Sequence, residues 1–343
     1  MDINSRPTVF RDKNSIPSDS LLIDAFSSAV KELFFIENPH LKPAMPEAKE
    51  SLELYLNTHG AGAIWVYYPW NGKVVKSLSE DLYFKLRTAR NRNIITEEEQ
   101  KKYRGAKVGI AGLSVGSAIL SALVSTGGPR IIKIADFDVV EISNLNRIRA
   151  KLFDVGTNKT TVAAREAWEL DPFADLYLYP DGLKKDILEE FILGEPRLDI
   201  FLDEMDNLEL KFLARQICKK NKIPVVMATD NGDGVILDVE RFDLEPERPI
   251  FHGLVKEEEL QNLVTSDYKK WIEIANKIIG FEYLSERVKN SLLQIGKTIA
   301  SVPQVGSAAM MAGAAVSYVV RQIANREPFE SGKYRIGSQE KLI

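Results

Sequence analysis

Residues 106–138 constrain the fold more than any other stretch. AKVGIAG (106–112) is an apolar run of strand length, GLSVGSAILSALVSTGG follows as a glycine-bearing turn and an apolar helix, and IIKIADFD (131–138) is a second apolar run ending in acids. Two buried strands one helix apart need a crossover connection, which means parallel pairing. The alternation continues through a helix at NKTTVAAREAWELDP (158–172). It is followed by strands at LDIFLDEMDN (198–207) and IPVVMATDN (223–231), with the helix LELKFLARQICKK between them. This spacing predicts an α/β fold, a doubly wound, Rossmann-like, mostly parallel sheet covered by helices. VILDVERFDL (235–244) is a further strand, and residues 256–295 read as charged, irregularly helical chain.

Upstream, residues 1–85 read as a small α+β module. Residues 19–37 have helical apolar spacing, with Leu22, Phe26, Val30 and Leu33 on one face, and Pro39, Pro43 and Pro46 mark a loop. Asn71-Gly72 between AIWVYYPW (63–70) and KVVKSL (73–78) signals a β-hairpin. Thr96 with Glu99 three residues on is a capping-box helix start. The module carries no chemical motif, so packing or substrate docking is its expected role, and residues 86–343 form the main domain.

Composition narrows the classes. With 343 residues the chain is long enough for two domains, and its net charge of −4 excludes an overall field that draws it to nucleic acid or anionic membrane. The single cysteine, Cys218, excludes a disulfide framework, a Cys-only zinc site and a paired-thiol redox centre. Thr298–Val320 holds 23 uncharged residues, but Ser301, Pro303, Gln304, Gly306, Ser307, Gly313 and Ser317 interrupt it. A buried or subunit-interface helix is expected there rather than a membrane span. The polar start, MDINSRPTVFRDKNS, lacks the apolar core of a signal peptide, so a soluble cytoplasmic protein is expected.

The chemistry begins at Gly112-Leu113-Ser114-Val115-Gly116-Ser117. A glycine turn between strand and helix brings backbone N–H groups and a helix N-terminus to phosphate. The same letters spell G-x-S-x-G, but that elbow needs a histidine downstream, and of His40, His59 and His252 only the last qualifies. Strand two ends in Asp136-Phe137-Asp138, where an acid can bind a ribose diol or merely end a strand. The chain then continues Ser143-Asn144-Leu145-Asn146-Arg147 and Gly156-Thr157-Asn158-Lys159. A NAD(P)-dependent oxidoreductase would use the glycine turn and Asp136 but gives no role to Arg147 and Lys159. Two cations there suit triphosphate charge, and no G-x-x-x-x-G-K-[ST] loop is present. Asp203 and Asp206 close a later strand. Cys218 sits among apolar neighbours at helical spacing, as a buried thiol does, and Asp230, Asn231 and Asp233 either line a substrate cleft or form a polar loop.

D-x-D-x-x-x-x-S-N-L-x-R followed by G-x-x-K resembles the ThiF/MoeB/HesA superfamily, the adenylating half shared with ubiquitin-activating enzymes. Leu202-Asp203-Glu204-Met205-Asp206-Asn207 resembles its D-x-x-D-N, with Lys211 where an Arg is usual. Thr88–Asn93 resembles the arginine-finger segment, and Ala300–Gly306 the A-P-x-x-G helix start; the likeness covers about residues 86–325. VYYPW, RTARNRNIITEEEQ, GLSVGS and DVERFDLEPERPIFHGL are similar to the ThiF-like half of bacterial ThiF–nitroreductase fusion proteins.

The resemblance implies that Gly112, Ser114 and Gly116 shape the nucleotide turn and that Asp136, with Asp138 beside it, binds ribose. It implies that Asn144, Arg147 and Lys159 clamp phosphates, that Asp206 holds Mg²⁺, and that Arg92 reaches ATP from the second subunit of a homodimer. The implied reaction is ATP-dependent adenylation of a carboxylate on a peptide, a small ubiquitin-like protein or a tRNA-linked acid. One cysteine argues against the zinc site and the thioester relay of some members. A non-catalytic nucleotide- or partner-binding member is the remaining alternative, raised by the serine-substituted loop and Lys211.

Overall fold

The computed structural model describes residues 6–59, 62–256, 258–259 and 268–337. The chain divides into two compact units, Met1–Gln100 with Trp168–Phe173, and Lys101–Ala167 with Ala174–Ile343.

The first unit holds β1 (Thr8–Phe10), β2 (Leu21–Asp24), β3 (Ile64–Tyr68) and β4 (Lys73–Ser77) in the sheet order β1-β3-β4-β2. Its helices are α1 (Phe26–Glu37), α2 (Pro46–His59) and α3 (Glu80–Arg87). The helix expected from residue 19 starts at Phe26, because the Asp24 carboxylate accepts the Ser27 N–H and hydroxyl, both at 3.1 Å. Residues 21–24 pair with β4 instead, which leaves Leu22 exposed while Phe26, Val30 and Leu33 are buried as expected. The hairpin forms with Tyr68 opposite Lys73, and its turn needs Gly72 at φ +67°. The unit extends past residue 85. Tyr83 donates to the Leu170 carbonyl at 2.6 Å and Arg87 pairs with Asp171 at 2.9 Å, so α3 and the segment to Gln100 belong with it. At the head of α4 (Glu97–Gly105), Thr96 and Glu99 exchange the two capping-box bonds, at 2.7 and 3.2 Å.

The second unit is built on a sheet of seven strands among the described residues. Its strands are β5 (Lys107–Ala111), β6 (Ile131–Ala135), β7 (Asp175–Tyr179), β8 (Ile200–Asp203), β9 (Val225–Asn231), β10 (Gly234–Glu240) and β11 (Gly332–Ile336). The order is β11-β10-β9-β8-β5-β6-β7, with β9 through β7 parallel and β10 and β11 antiparallel at one edge. α5 (Val115–Ser125), α6 (Lys159–Leu170), α7 (Lys185–Leu193) and α8 (Leu208–Lys220) are the crossovers. β7 is not among the expected strands, although Leu176–Tyr179 is a β-prone run before Pro-Asp-Gly; it is the sheet edge, and no residue in DLYLY is fully buried. Within 256–295, α9 (Tyr268–Ile279) and α10 (Glu286–Leu292) are present, while 257 and 260–267 lie outside the described residues.

The uncharged stretch ends in α11 (Gly306–Ala324), which packs on α5 with Ala308, Ala312, Val316 and Val320 fully buried. A methyl group on Gly313 would stand 2.6 Å from the Ala118 carbonyl oxygen, so the small residue permits the close approach of α11 to α5. Among the described residues no helix is long and apolar enough to cross a membrane.

Candidate active site

From β5 the chain winds one way to β6 and β7, then returns to the other side of β5 for β8 and β9. The carboxyl ends of β5 and β8 therefore part, and a cleft opens at this switch point. It measures about 630 Å³ and is lined by Ser114, Asp138, Arg147, Lys159, Asp206 and Asp230, among others. Helix and strand packing demands glycine here. At Gly112, φ is +95° and a Cβ would stand 2.2 Å from the Glu204 carbonyl oxygen; at Gly116 it would stand 2.9 Å from Ile110 Cγ2. Ser114 then occupies the N-cap of α5 without capping it.

Asp136 is pinned beneath the turn. Its Oδ2 accepts the Leu113 N–H at 2.7 Å and its Oδ1 the Asp138 N–H at 2.8 Å. Burial pushes this carboxyl above the usual range, against the pull of those donors and of Lys159. Its neighbour Asp138 is the one that lines the cleft, half-exposed, with the buried Lys159 ammonium 2.7 Å from Oδ2. Lys159 opens α6, and its own N–H donates to the Asp138 carbonyl at 2.9 Å. Asn144 accepts the Glu141 N–H at 3.1 Å and its carbonyl receives the N–H of Arg147, so its buried side chain shapes the loop that presents that arginine. Arg147 Nε donates to Ser114 Oγ at 2.9 Å and Nη1 to the Asn146 side chain at 3.0 Å. A guanidinium at the N-terminus of α5 and the ammonium of Lys159 thus line one cleft, where the helix dipole also favours anions.

The β8 end is held from behind. Asp203 is wholly buried between Lys211, at 3.1 Å, and Arg215. Burial opposes its ionisation, but the two cations outweigh it and keep the carboxyl below the usual range. Arg215 reaches on to Glu240 at 2.5 Å and stacks over Phe251, wholly buried, whereas Lys211, where an arginine is usual, lines the cleft. Asp206 emerges from this base into the cleft with an exposed carboxylate.

Arg92 belongs to the first unit, exposed just after the turn Ala89–Asn91. The serine-nucleophile geometry is not assembled. Ser114 Oγ is engaged by Arg147, and His252 is held by Asp238 at 2.8 Å and Arg248 at 3.0 Å. Cys218 is buried in the core, where burial pushes its thiol far above the usual range. Three further residues, Glu204, Asp230 and Gln304, line the cleft. Glu204, half-buried, accepts the Ala228 N–H at 2.9 Å, and burial holds its carboxyl well above the usual range. Asp230 and Gln304 meet at 3.2 Å, although they lie 74 residues apart. Only the strand-end positions of Glu204 and Asp230 pointed to the cleft; nothing local marked Gln304. Among the described residues no group of three or more His, Cys, Asp or Glu is arranged to hold a metal ion.

A doubly wound sheet with a glycine turn, a strand-end acid and two cations lining the cleft at its switch point defines a protein of Rossmann-type fold. More narrowly, the chain belongs to the ThiF family, whose model matches residues 88–335. An uncharacterized protein of Mycobacterium tuberculosis, MT1398, is 38% identical over 272 residues, 79% of this chain, which spans only 37% of that protein's length. The molybdopterin-synthase adenylyltransferase of Haemophilus influenzae is 29% identical over 48% of this chain and 68% of its own. The structure of E. coli MccB with ATP shares the fold, with a TM-score of 0.51 at 16% identity over 91% of this chain and 84% of that one.

Proposed function

We propose that this chain activates a substrate carboxylate with ATP, forming an acyl-adenylate and releasing pyrophosphate. The observation that carries the reading is one cleft lined by Arg147, bonded to Ser114 at the N-terminus of α5, and by Lys159, paired with Asp138. The nucleoside lies on the β6 side, where Asp138 and the remaining lone pairs of Asp136 serve the ribose hydroxyls. The α-phosphate lies at Ser114 beneath Arg147. A carboxylate is ionised at neutral pH and needs no general base; the site must align two anions and offset their repulsion, which fixed cations do. Its oxygen attacks the α-phosphorus, the bond to the bridging oxygen breaks, and pyrophosphate leaves with the electron pair.

Mg²⁺ fits the donor set, since it takes few protein oxygens and completes its shell with phosphates and water. Asp206 would hold it, and when bound it supplies charge neutralisation on the departing pyrophosphate. Arg92 reaches the nucleotide of a second copy in a homodimer. The substrate is a peptide, a small ubiquitin-like protein or a tRNA-linked acid. The buried Cys218 supports a route without a thioester. The test is carboxylate-dependent exchange of labelled pyrophosphate into ATP. Arg147→Ala and Lys159→Ala each lose at least a hundredfold with unchanged far-UV circular dichroism; exchange that persists in both overturns the site.

A further inference from the structure

The acyl end of the cleft contains a group that adenylation itself does not use. Asp230 ends β9, on the opposite side of β5 and β8 from Asp138. If the nucleoside occupies the β6 side and the α-phosphate sits under Arg147, the acyl group points toward β9. Asp230 is tied into that region: its Oδ2 accepts the Gln304 amide at 3.2 Å, and the Gln304 carbonyl accepts the Asn146 amide at 2.8 Å. Asn146 in turn accepts from Arg147. No donor of the described residues reaches the buried Oδ1 of Asp230.

An acid facing an incoming carboxylate repels it unless the substrate brings a donor of its own. Resting on the adenylation reading, we propose that Asp230 is a specificity-determining residue. It accepts a hydrogen bond from an N–H on the carbon that bears the reacting carboxylate, and so discriminates acids that carry that donor from those that lack it. Burial raises the Asp230 carboxyl while Gln304 and Arg147 lower it, which suits a group completed by a donor. A site built to bond an N–H rejects the analogue lacking it, because its own polar group is then left unpaired.

The probes are three sulfamoyl-adenosine mimics of the acyl-adenylate, carrying N-formylglycyl (amide N–H), glycyl (ammonium) or acetyl (no donor), titrated calorimetrically into the full chain. At least one N–H mimic binds tenfold or more tightly than acetyl, a difference of about 1.4 kcal/mol, and the stronger of the two identifies the donor. In Asp230→Ala the margin falls to twofold or less. In Asp230→Asn an amide margin persists, because the side-chain carbonyl still accepts, whereas an ammonium margin is lost. Equal affinity for all three in the wild type, or an undiminished margin in Asp230→Ala, overturns the assignment. Failure of every mimic to bind folded wild-type protein overturns the adenylation reading itself.

Discussion

Replacing Gly112 by alanine separates two costs that a glycine turn combines. At φ +95° any L-residue is strained, and a Cβ would stand 2.2 Å from the Glu204 carbonyl oxygen and 2.6 Å from its carbon. Carbon contacts prefer about 3.5–4.0 Å, so a backbone shift of more than about 1 Å is required. Gly156, in the same unit, is the control. Its φ is +85°, but a Cβ there meets nothing within 4 Å. The left-handed conformation costs about 1–2 kcal/mol and is common to both. Overpacking against backbone adds about 1–3 kcal/mol at Gly112 only. With a denaturant slope of about 3 kcal/mol/M, Gly156→Ala lowers the urea midpoint by roughly 0.3–0.7 M and Gly112→Ala by roughly 0.7–1.7 M. Circular dichroism at the helix band reads both. Gly112→Ala also weakens ATP binding, because the collision displaces the start of α5 from the β8 end. Equal midpoint shifts for the two variants would refute the collision argument.

Arg215→Met leaves buried Glu240 without its ion-pair partner and Asp203 with Lys211 alone, and is expected to cost about 3–5 kcal/mol in urea titration, with Arg215→Lys recovering little because one ammonium cannot serve both. Asp238 shows the pH dependence most plainly. Burial opposes its ionisation, but His252 and Lys333 outweigh it and lower its pKa from 3.8 to about 2. A depressed carboxyl contributes stability present above about pH 4 and lost as pH falls toward 2, here about 2 kcal/mol. Comparing unfolding free energies from urea titrations at pH 5 and pH 3 checks this: the wild type loses more than Asp238→Asn by about 1 kcal/mol, the part of the contribution that falls in this window.

The information legible along the chain is local. Strand and helix periods between residues 106 and 240, and the glycine turn followed by a strand-end acid, are patterns among neighbours a few residues apart; that Gly112 admits no side chain is decided by Glu204, 92 residues on. Local signals failed where competing contacts decided. Asp24 accepts the Ser27 N–H at the start of α1, and residues 21–24 pair with β4 as a strand. The tertiary structure alone decided which acid faces the cleft. Asp136 and Asp138 are two residues apart, yet the first is bonded beneath the turn and the second lies open beside Lys159. It also decided that Asp230 and Gln304 stand beside Arg147. Those positions are joined only by crossovers around β5, and no periodicity in the chain records a distance across a sheet.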